Sequence, residues 1–423
     1  MLCVDNPETG IIVSVMEFDS DILIIGGGLN GPALALGLAD GGLSVTIIDA
    51  LPVDARGDAG FDGRGYALAL ASQRLLAAIG VWGDVAAYSQ PINEVKITDG
   101  KAGEGPSGWM LHFNSDELAE GPMGYMVEDR HLYRAFQAAL KRHPLIRRIN
   151  GETVVHQETG VGHAMVQTAS SKVLTGRMIV GSDGRKSGTA ARAGIKRHGH
   201  DYNQTALVCA IEHALPHHGI AHQFFMPPGP LAILPLTGNR SSIVWSEETS
   251  EAARINALPD QDYLAYLRPR FGSFLGEIKL AGARFTYPLN LTLADHFVAA
   301  RLALIGDAAH GVHPIAGQGL NLGLRDVGAL AEVLIMAKRR GEDIGAVDVL
   351  ERYQAWRQFD TTTLALATDG FNKLFSNDNP ILRAGRDMGL GIINALPVLR
   401  KSFIREAAGL TGDVPKLLQG RQI

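Results

Sequence analysis

Between two β-branched runs, at 21–25 and 43–48, the chain carries Gly26-Gly27-Gly28-Leu29-Asn30-Gly31, and few folds accommodate that arrangement. Gly26, Gly28 and Gly31 spell GxGxxG, an alanine- and leucine-rich stretch follows to Ala39, and Asp49 closes the second run. The acid falls about 20 residues beyond the turn, as in a strand, helix, strand unit that binds a dinucleotide. The first glycine permits a tight turn, the second lets the backbone reach a pyrophosphate, and the third lets helix and strand pack closely. The helix N-terminus then faces the phosphate charge. Asp49 would accept hydrogen bonds from the adenosine ribose hydroxyls. Gly103, Gly105 and Gly108 spell the same pattern, but Pro106 and the strand-like run 109–113 leave no helix to hold phosphate. That second match predicts an ordinary turn.

Composition bounds the rest. With 423 residues, 46% hydrophobic and 20% charged, the chain can bury a cofactor between two or three layers. A formal charge of −5 and a pI near 6.3 leave no basic excess to neutralise a phosphate backbone, so no nucleic-acid partner is expected. Cys3 and Cys209 make neither a disulfide framework nor a CxxC pair, which fits a reducing cytoplasm. The first residues carry no basic cluster and only a short apolar run, so no secretory leader is expected, and Met16 is expected to be the natural start. No stretch reaches the roughly 18–20 apolar residues that span a bilayer.

Further along, 75–82 reads as a helix ending at Gly80, and 92–114, broken by Gly and Pro, as a hairpin. Leu132, Phe136 and Leu140 repeat at helical spacing within 131–142. From 202 to 245 short apolar runs separated by Pro and Gly turns predict a sheet that roofs a pocket. A last nucleotide-type element is expected at 302–307, with a helix from Leu320 onward. The expected domains are a discontinuous cofactor domain over 20–90, 125–195 and 285–365, a β-sheet substrate domain over 91–124 and 196–284, and a C-terminal helical region over 366–423.

Two more motifs follow apolar strand ends. Asp183-Gly184 turns into a helix starting near Ser187; alone, such a pair is usually only a turn. Gly306-Asp307 leads into His313-Pro314-Ile315-Ala316-Gly317-Gln318-Gly319-Leu320-Asn321-Leu322-Gly323. An Asp beside a helix N-terminus can accept from a sugar-chain hydroxyl, and free amides near Gly317, Gly319 and Asn321 can stabilise negative charge on a ring. His310 and His313 lack a third ligand and any HExxH pattern, so no metal is expected. They read as packing or hydrogen-bonding residues.

Taken together, these motifs resemble the FAD-dependent aromatic hydroxylases of the para-hydroxybenzoate hydroxylase type. The run 313–326, HPIAGQGLNLGLRD, resembles the signature of the ubiquinone-biosynthesis hydroxylases. Further matches are Asp62-Gly63-Arg64 with Ala67-Leu68, Ser72, Gly80-Val81-Trp82, Tyr202-Asn203-Gln204, and Gln223-Phe224 with Leu234-Pro235-Leu236. The resemblance implies an α/β fold: a Rossmann-like FAD-binding domain, a mostly antiparallel β-sheet substrate domain and C-terminal helices. It implies that Gly26, Gly28, Gly31 and Asp49 hold the ADP half of FAD, and that Arg64 and Arg130 lie against the pyrophosphate or ribityl chain. On the charge pattern alone, a surface salt bridge for Arg64 and a solvated helix start for Arg130 remain open. Asp183 and Gly184 would lie near the flavin and the approaching nicotinamide, Asp307 would bind ribityl, and 317–321 would support the flavin N1 and C2 carbonyl edge. Pro314 would pack at the flavin face where substrate arrives.

The implied reaction is ring hydroxylation of a polyprenylated phenol in ubiquinone biosynthesis through a C4a-hydroperoxyflavin. NAD(P)H would bind transiently as reductant and molecular oxygen would be consumed. No side chain identifies itself as an acid or base. A hydroxylase of a small soluble aromatic acid, or a flavin-bearing non-catalytic subunit of a biosynthetic complex, are the competing readings. Disulfide reductases would need a cysteine pair, and flavin halogenases a WxWxIP segment that the isolated Trp82, Trp109, Trp245 and Trp356 do not make. Arg383, Arg386, Arg400, Lys401 and Arg405 are interleaved with apolar residues, so peripheral contact with the cytoplasmic face of a membrane is expected. For the structure of that segment, a helix packed on its own domain or in a dimer interface is slightly favoured, and a ubiquinone-biosynthesis complex or a homo-oligomer is the expected partner of the protein.

Overall fold

The computed structural model describes residues 2–4, 13–15, 17–53, 60–101, 105–227, 229–312, 318–375 and 396–423. Ile22–Ile25 (β1) is buried throughout, because a strand covered on both faces needs an unbroken apolar run rather than alternation. It leads through the glycine turn into Asn30–Asp40 (α1) and then Val45–Asp49 (β2), which pairs parallel to β1 with Ile22 opposite Val45. Gly65–Ala69 (β3) runs directly into Leu70–Ala78 (α2), so this helix starts earlier than the 75–82 expected from sequence. The start is set by distant partners: Leu70 N–H donates to the Met123 carbonyl and Ala71 N–H to that of Ala408.

Glu94–Lys101 (β4) and Gly105–Asn114 (β5) form the expected hairpin, and Gly105 and Gly108 of the second glycine pattern lie in its return arm, which runs on as strand to Asn114. Gly124–Glu128 (β6) pairs with β3 and opens Asp129–Arg142 (α3), whose Leu132, Phe136 and Leu140 are buried. Ile146–Asn150 (β7) pairs parallel to β2, and Met178–Gly181 (β8) pairs parallel to β1 on its other side. The short helix Gly188–Arg192 (α4) follows.

Then come Arg197–His213 (β9), Ile220–Phe225 (β10), Leu231–Leu236 (β11) and Arg240–Glu248 (β12), the helices Thr249–Asn256 (α5) and Asp260–Phe271 (α6), and Ile278–Ala294 (β13). Val298–Ala299 (β14), Leu302–Leu304 (β15) and His310–Gly311 (β16) precede the long helices Gln318–Arg339 (α7) and Val347–Phe375 (α8). Pro397–Ala407 (α9) lies near the C-terminus.

Two large sheets organise the molecule. One has the order β7-β2-β1-β8-β15-β14, parallel except at its β14 edge. The other has the order β16-β13-β9-β12-β11-β10-β4-β5. It is antiparallel except where β10 lies parallel to β4, a pair joined by no hairpin. One face of the second sheet, with Leu207, Ile211, Ile243 and Trp245, packs on Ile255, Tyr263 and Leu267 of α5 and α6. The opposite face, with Ala210, Phe225, Leu236 and Phe113, packs on Met123 and Met126 and on Ile404 of α9. That face is apolar where it meets β6 and α9. Among the described residues no helix is long and apolar enough to cross a membrane.

Candidate functional site

Because β1, β2, β8 and β15 run parallel, their carboxyl ends open on one edge of the sheet, where α/β folds bind ligands. The chain leaves these ends through residues 26–31, Asp49, 182–184 and 305–307, so motifs far apart in sequence meet along one edge.

The glycines are required there. Gly26 sits at φ +110°, and a Cβ on it would fall on the Ser182 carbonyl where β1 and β8 end side by side. A Cβ on Gly31 would meet the Gly26 carbonyl oxygen, so the first turn of α1 rests on the turn that precedes it. Gly28 has nothing within 4 Å of the place a Cβ would occupy, which leaves one face of the turn open. The first turn of α1 carries no acid and its start has no side-chain cap, so its amides and dipole remain available to an anion. Asp49 is folded over Gly27, with Oδ1 accepting from the Leu51 amide at 3.1 Å.

In the second motif the Asp183 carboxylate is engaged by its own turn. Its Oδ2 accepts from the Thr189 amide and hydroxyl, each at 2.9 Å, and its Oδ1 from Ser187 Oγ at 2.5 Å. The carboxylate therefore braces the start of α4, and Gly184 stands at φ +80° with nothing within 4 Å of the place a Cβ would occupy. Asp307 lies in a 3-10 turn, Gly306–Ala308, and stays 38% exposed, with Oδ2 accepting from Arg185 Nε at 3.1 Å. Of the two acids, Asp307 is the one presented outward.

Asn30 was not singled out from sequence. Its amide occupies the space left by Gly306 and Gly323, so the fingerprint, the 306–308 turn and α7 interlock at this side chain. Its Oδ1 is buried without a hydrogen-bond partner, an acceptor whose desolvation calls for a donor. FAD fits these residues: an open glycine turn and free helix amides for the pyrophosphate, Asp49 for ribose hydroxyls, and Asp307 for a polyol chain.

The other sequence-derived positions have these surroundings. Asn321 spends its side chain on the fold: Oδ1 accepts from the Ala69 amide at 2.9 Å and Ser72 Oγ at 2.7 Å, and Nδ2 donates to the Ala67 carbonyl at 2.9 Å. Support for the flavin from this residue is left to its backbone. Gly319 has open surroundings, while His313, Pro314 and Gly317 lie outside the described residues. Arg64 is 44% exposed, paired with Asp62 at 2.7 Å and Asp129 at 3.5 Å, over the Phe285 ring. Arg130 donates to Glu128 at 2.7 Å and lies over Phe61. The two arginines thus form a group of their own at the seam with the second sheet. No cluster of His, Cys, Asp or Glu among the described residues could hold a metal ion.

Sequence reasoning also passed over Asp326. Its Oδ2 accepts from the Gly306 amide at 2.9 Å and meets His310 Nε2 at 2.5 Å, and its Oδ1 accepts from Arg357 Nε at 2.9 Å. Complete burial pushes the carboxyl pKa up, but His310, Arg357 and the Gly306 amide outweigh it and hold Asp326 below the usual carboxylate range. The only sequence signal was its place at the end of the 313–326 run.

A profile described as an FAD binding domain matches residues 19–362. The chain is 41% identical to a ubiquinone hydroxylase, UbiL, of Rhodospirillum rubrum, over 98% of this chain and 96% of that protein. It is 34% identical to the 3-demethoxyubiquinol 3-hydroxylase of Escherichia coli, over 92% and 99% of the two chains. Among solved structures, p-nitrophenol 4-monooxygenase PnpA of Pseudomonas putida superposes with a TM-score of 0.77 at 18% identity, covering 94% of this chain and 100% of that one.

Proposed function

This chain belongs to the FAD binding domain family and is an FAD-dependent hydroxylase, and from that premise we propose that the ring it oxidises is a polyprenylated phenol on the way to ubiquinone. The observation that carries this reading is the 41% identity, along nearly the whole of both chains, to a protein named ubiquinone hydroxylase. The balanced reaction takes a ring C–H, dioxygen, NAD(P)H and a proton to a ring C–OH, NAD(P)⁺ and water. Bound FAD supplies the oxygen-activating chemistry.

The chain's own residues bind, orient and exclude water. Gly26, Gly28 and Gly31 with the α1 amides hold the pyrophosphate, Asp49 accepts from the adenosine ribose, and Asp307 accepts from ribityl. Ala210, Phe225 and Leu236, buried against Met126, make this side of the second sheet apolar, and a hydrophobic ring bound beside it would be kept from water. The protein works in the cytoplasm and meets a membrane surface at α9, where Val398, Leu399 and Phe403, with Leu396 just before the helix, are all exposed.

The test is mass spectrometry of lipid extracts from a strain lacking this chain, grown in air beside its parent. Loss of ubiquinone with build-up of a prenylated ring short of one oxygen is expected. An unchanged quinone pool, with no such intermediate, would overturn the substrate assignment.

A further inference from the structure

The 313–326 run ends on Asp326, which the proposed chemistry leaves without a task. Asp326 and His310 are wholly inaccessible to solvent and Arg357 is 1% exposed, so their geometry is set by one another and not by water. Gly323 and Asp326 are three apart on α7 and share a face. Gly323 makes room for the Asn30 amide of the fingerprint, while Asp326 takes the Gly306 amide and His310. One helix face therefore touches both the dinucleotide turn and the 306–308 turn. Gly306 stands at φ +59°, in the left-handed region, and the residue it presents next is Asp307.

We propose that Asp326 is a positioning residue that fixes the Gly306–Ala308 turn, and with it the Asp307 carboxylate, for the ribityl chain of FAD. The proposal rests on the reading of Asp307 as the ribityl acceptor. The Gly306 amide bond sets where the turn starts. Arg357, reaching from α8, holds the other carboxylate oxygen so that Asp326 cannot rotate away. His310 ties the strand leaving the turn to the same oxygen. Asp307 is thus aimed by a buried charge on a helix that follows it in sequence.

Calorimetric titration of the apoprotein with FAD and with ADP tests this. ADP has the adenine, ribose and diphosphate but no ribityl, so it engages residues 26–31 and Asp49 and not Asp307. By analogy with residues that orient metal ligands from behind, Asp326→Asn is expected to weaken FAD about ten-fold or more and to leave ADP within about two-fold. The double variant with Asp307→Asn is expected to bind FAD no worse than Asp307→Asn alone, since the two changes act through one contact. Asp326→Asn removes the negative charge from beside the buried Arg357, which keeps its contacts with Asp360 and Thr361, and the variant can fail to fold. His310→Leu, which spares the Asp326–Arg357 pair, then decides, with a smaller loss of FAD affinity, unchanged ADP affinity, and recovery in His310→Gln. Equal losses of FAD and ADP, or full additivity in the double variant, would overturn the proposal and leave Asp326 a residue of the fold alone. Full FAD affinity in Asp307→Asn would instead remove the ribityl reading of Asp307, and this proposal with it.

Discussion

His222 stands on β10 with the Phe274 ring 4.5 Å away and Phe224 at 5.8 Å. Burial, aided by Lys96 and opposed by Glu94, pushes its pKa from 6.5 down to about 4. In the unfolded chain the imidazole takes a proton near pH 6.5, while the folded protein refuses it until about pH 4, so stability is present above 6.5 and is lost as pH falls through that window. The loss from this residue is expected to be about 3 kcal/mol, read as the fall in urea-unfolding free energy between pH 6.5 and 4. His222→Phe should flatten that slope, and an unchanged slope would exonerate His222. Nothing in the local sequence marks this histidine, because the rings and charges around it come partly from other strands. Gly31 is the opposite case: its conflict, with the Gly26 carbonyl, lies within one strand, helix, strand unit. Gly26 and Asp49 were exposed by the same spacing, although the conflict of Gly26 is with Ser182 at the end of β8. Asp183 and Asn321 fall between: the motif was legible, but their side chains turn inward to the α4 start and to Ala67, Ala69 and Ser72.

Elements show the same division. The boundaries of α1 and α3 follow from periodicity, whereas α2 begins at Leu70 because Met123 and Ala408 accept its first amides. Helix α9 has two unlike sides. Ile404 is buried against the apolar face of the second sheet, while Val398 is 83% exposed and Leu399 and Phe403 about half that. Arg400 and Arg405 are held by Glu117 and Glu120, so Val398, Leu399 and Phe403 share the outward surface with Lys401, Ser402 and Glu406. If this side meets lipid, the purified protein should float with anionic liposomes, and Val398→Asp with Phe403→Asp should abolish flotation without lowering the melting temperature by more than a few degrees. Wild-type protein that stays at the bottom of the gradient would exclude the membrane role of α9. The basic stretch 381–395 lies outside the described residues.

Across the whole molecule, the second sheet is tied to the small sheet of β3 and β6 through a buried acid. Glu128, 2% exposed, accepts from Arg130 of α3 and from Arg240 of β12, each at 2.7 Å, and both guanidinium groups lie over Phe61. Arg240→Leu would leave Glu128 with Arg130 and His131 on one side only. The expected cost is about 1–3 kcal/mol in urea unfolding, with FAD affinity less affected than the affinity for the aromatic substrate. An unchanged unfolding midpoint would show that this joint carries no stability. The sequence was sufficient for the first parallel unit and the three strand-end motifs, because each rests on spacing within a few tens of residues, while FAD and the mostly antiparallel second sheet came from the resemblance those motifs carry. Only the tertiary structure decided that Asp183 braces its own helix, that Arg64 and Arg130 gather with Asp62, Asp129 and Glu128, and that Asp326 sits behind Gly306. A buried charge takes whichever partner the packed elements bring within hydrogen-bond reach, and a linear pattern does not encode that distance.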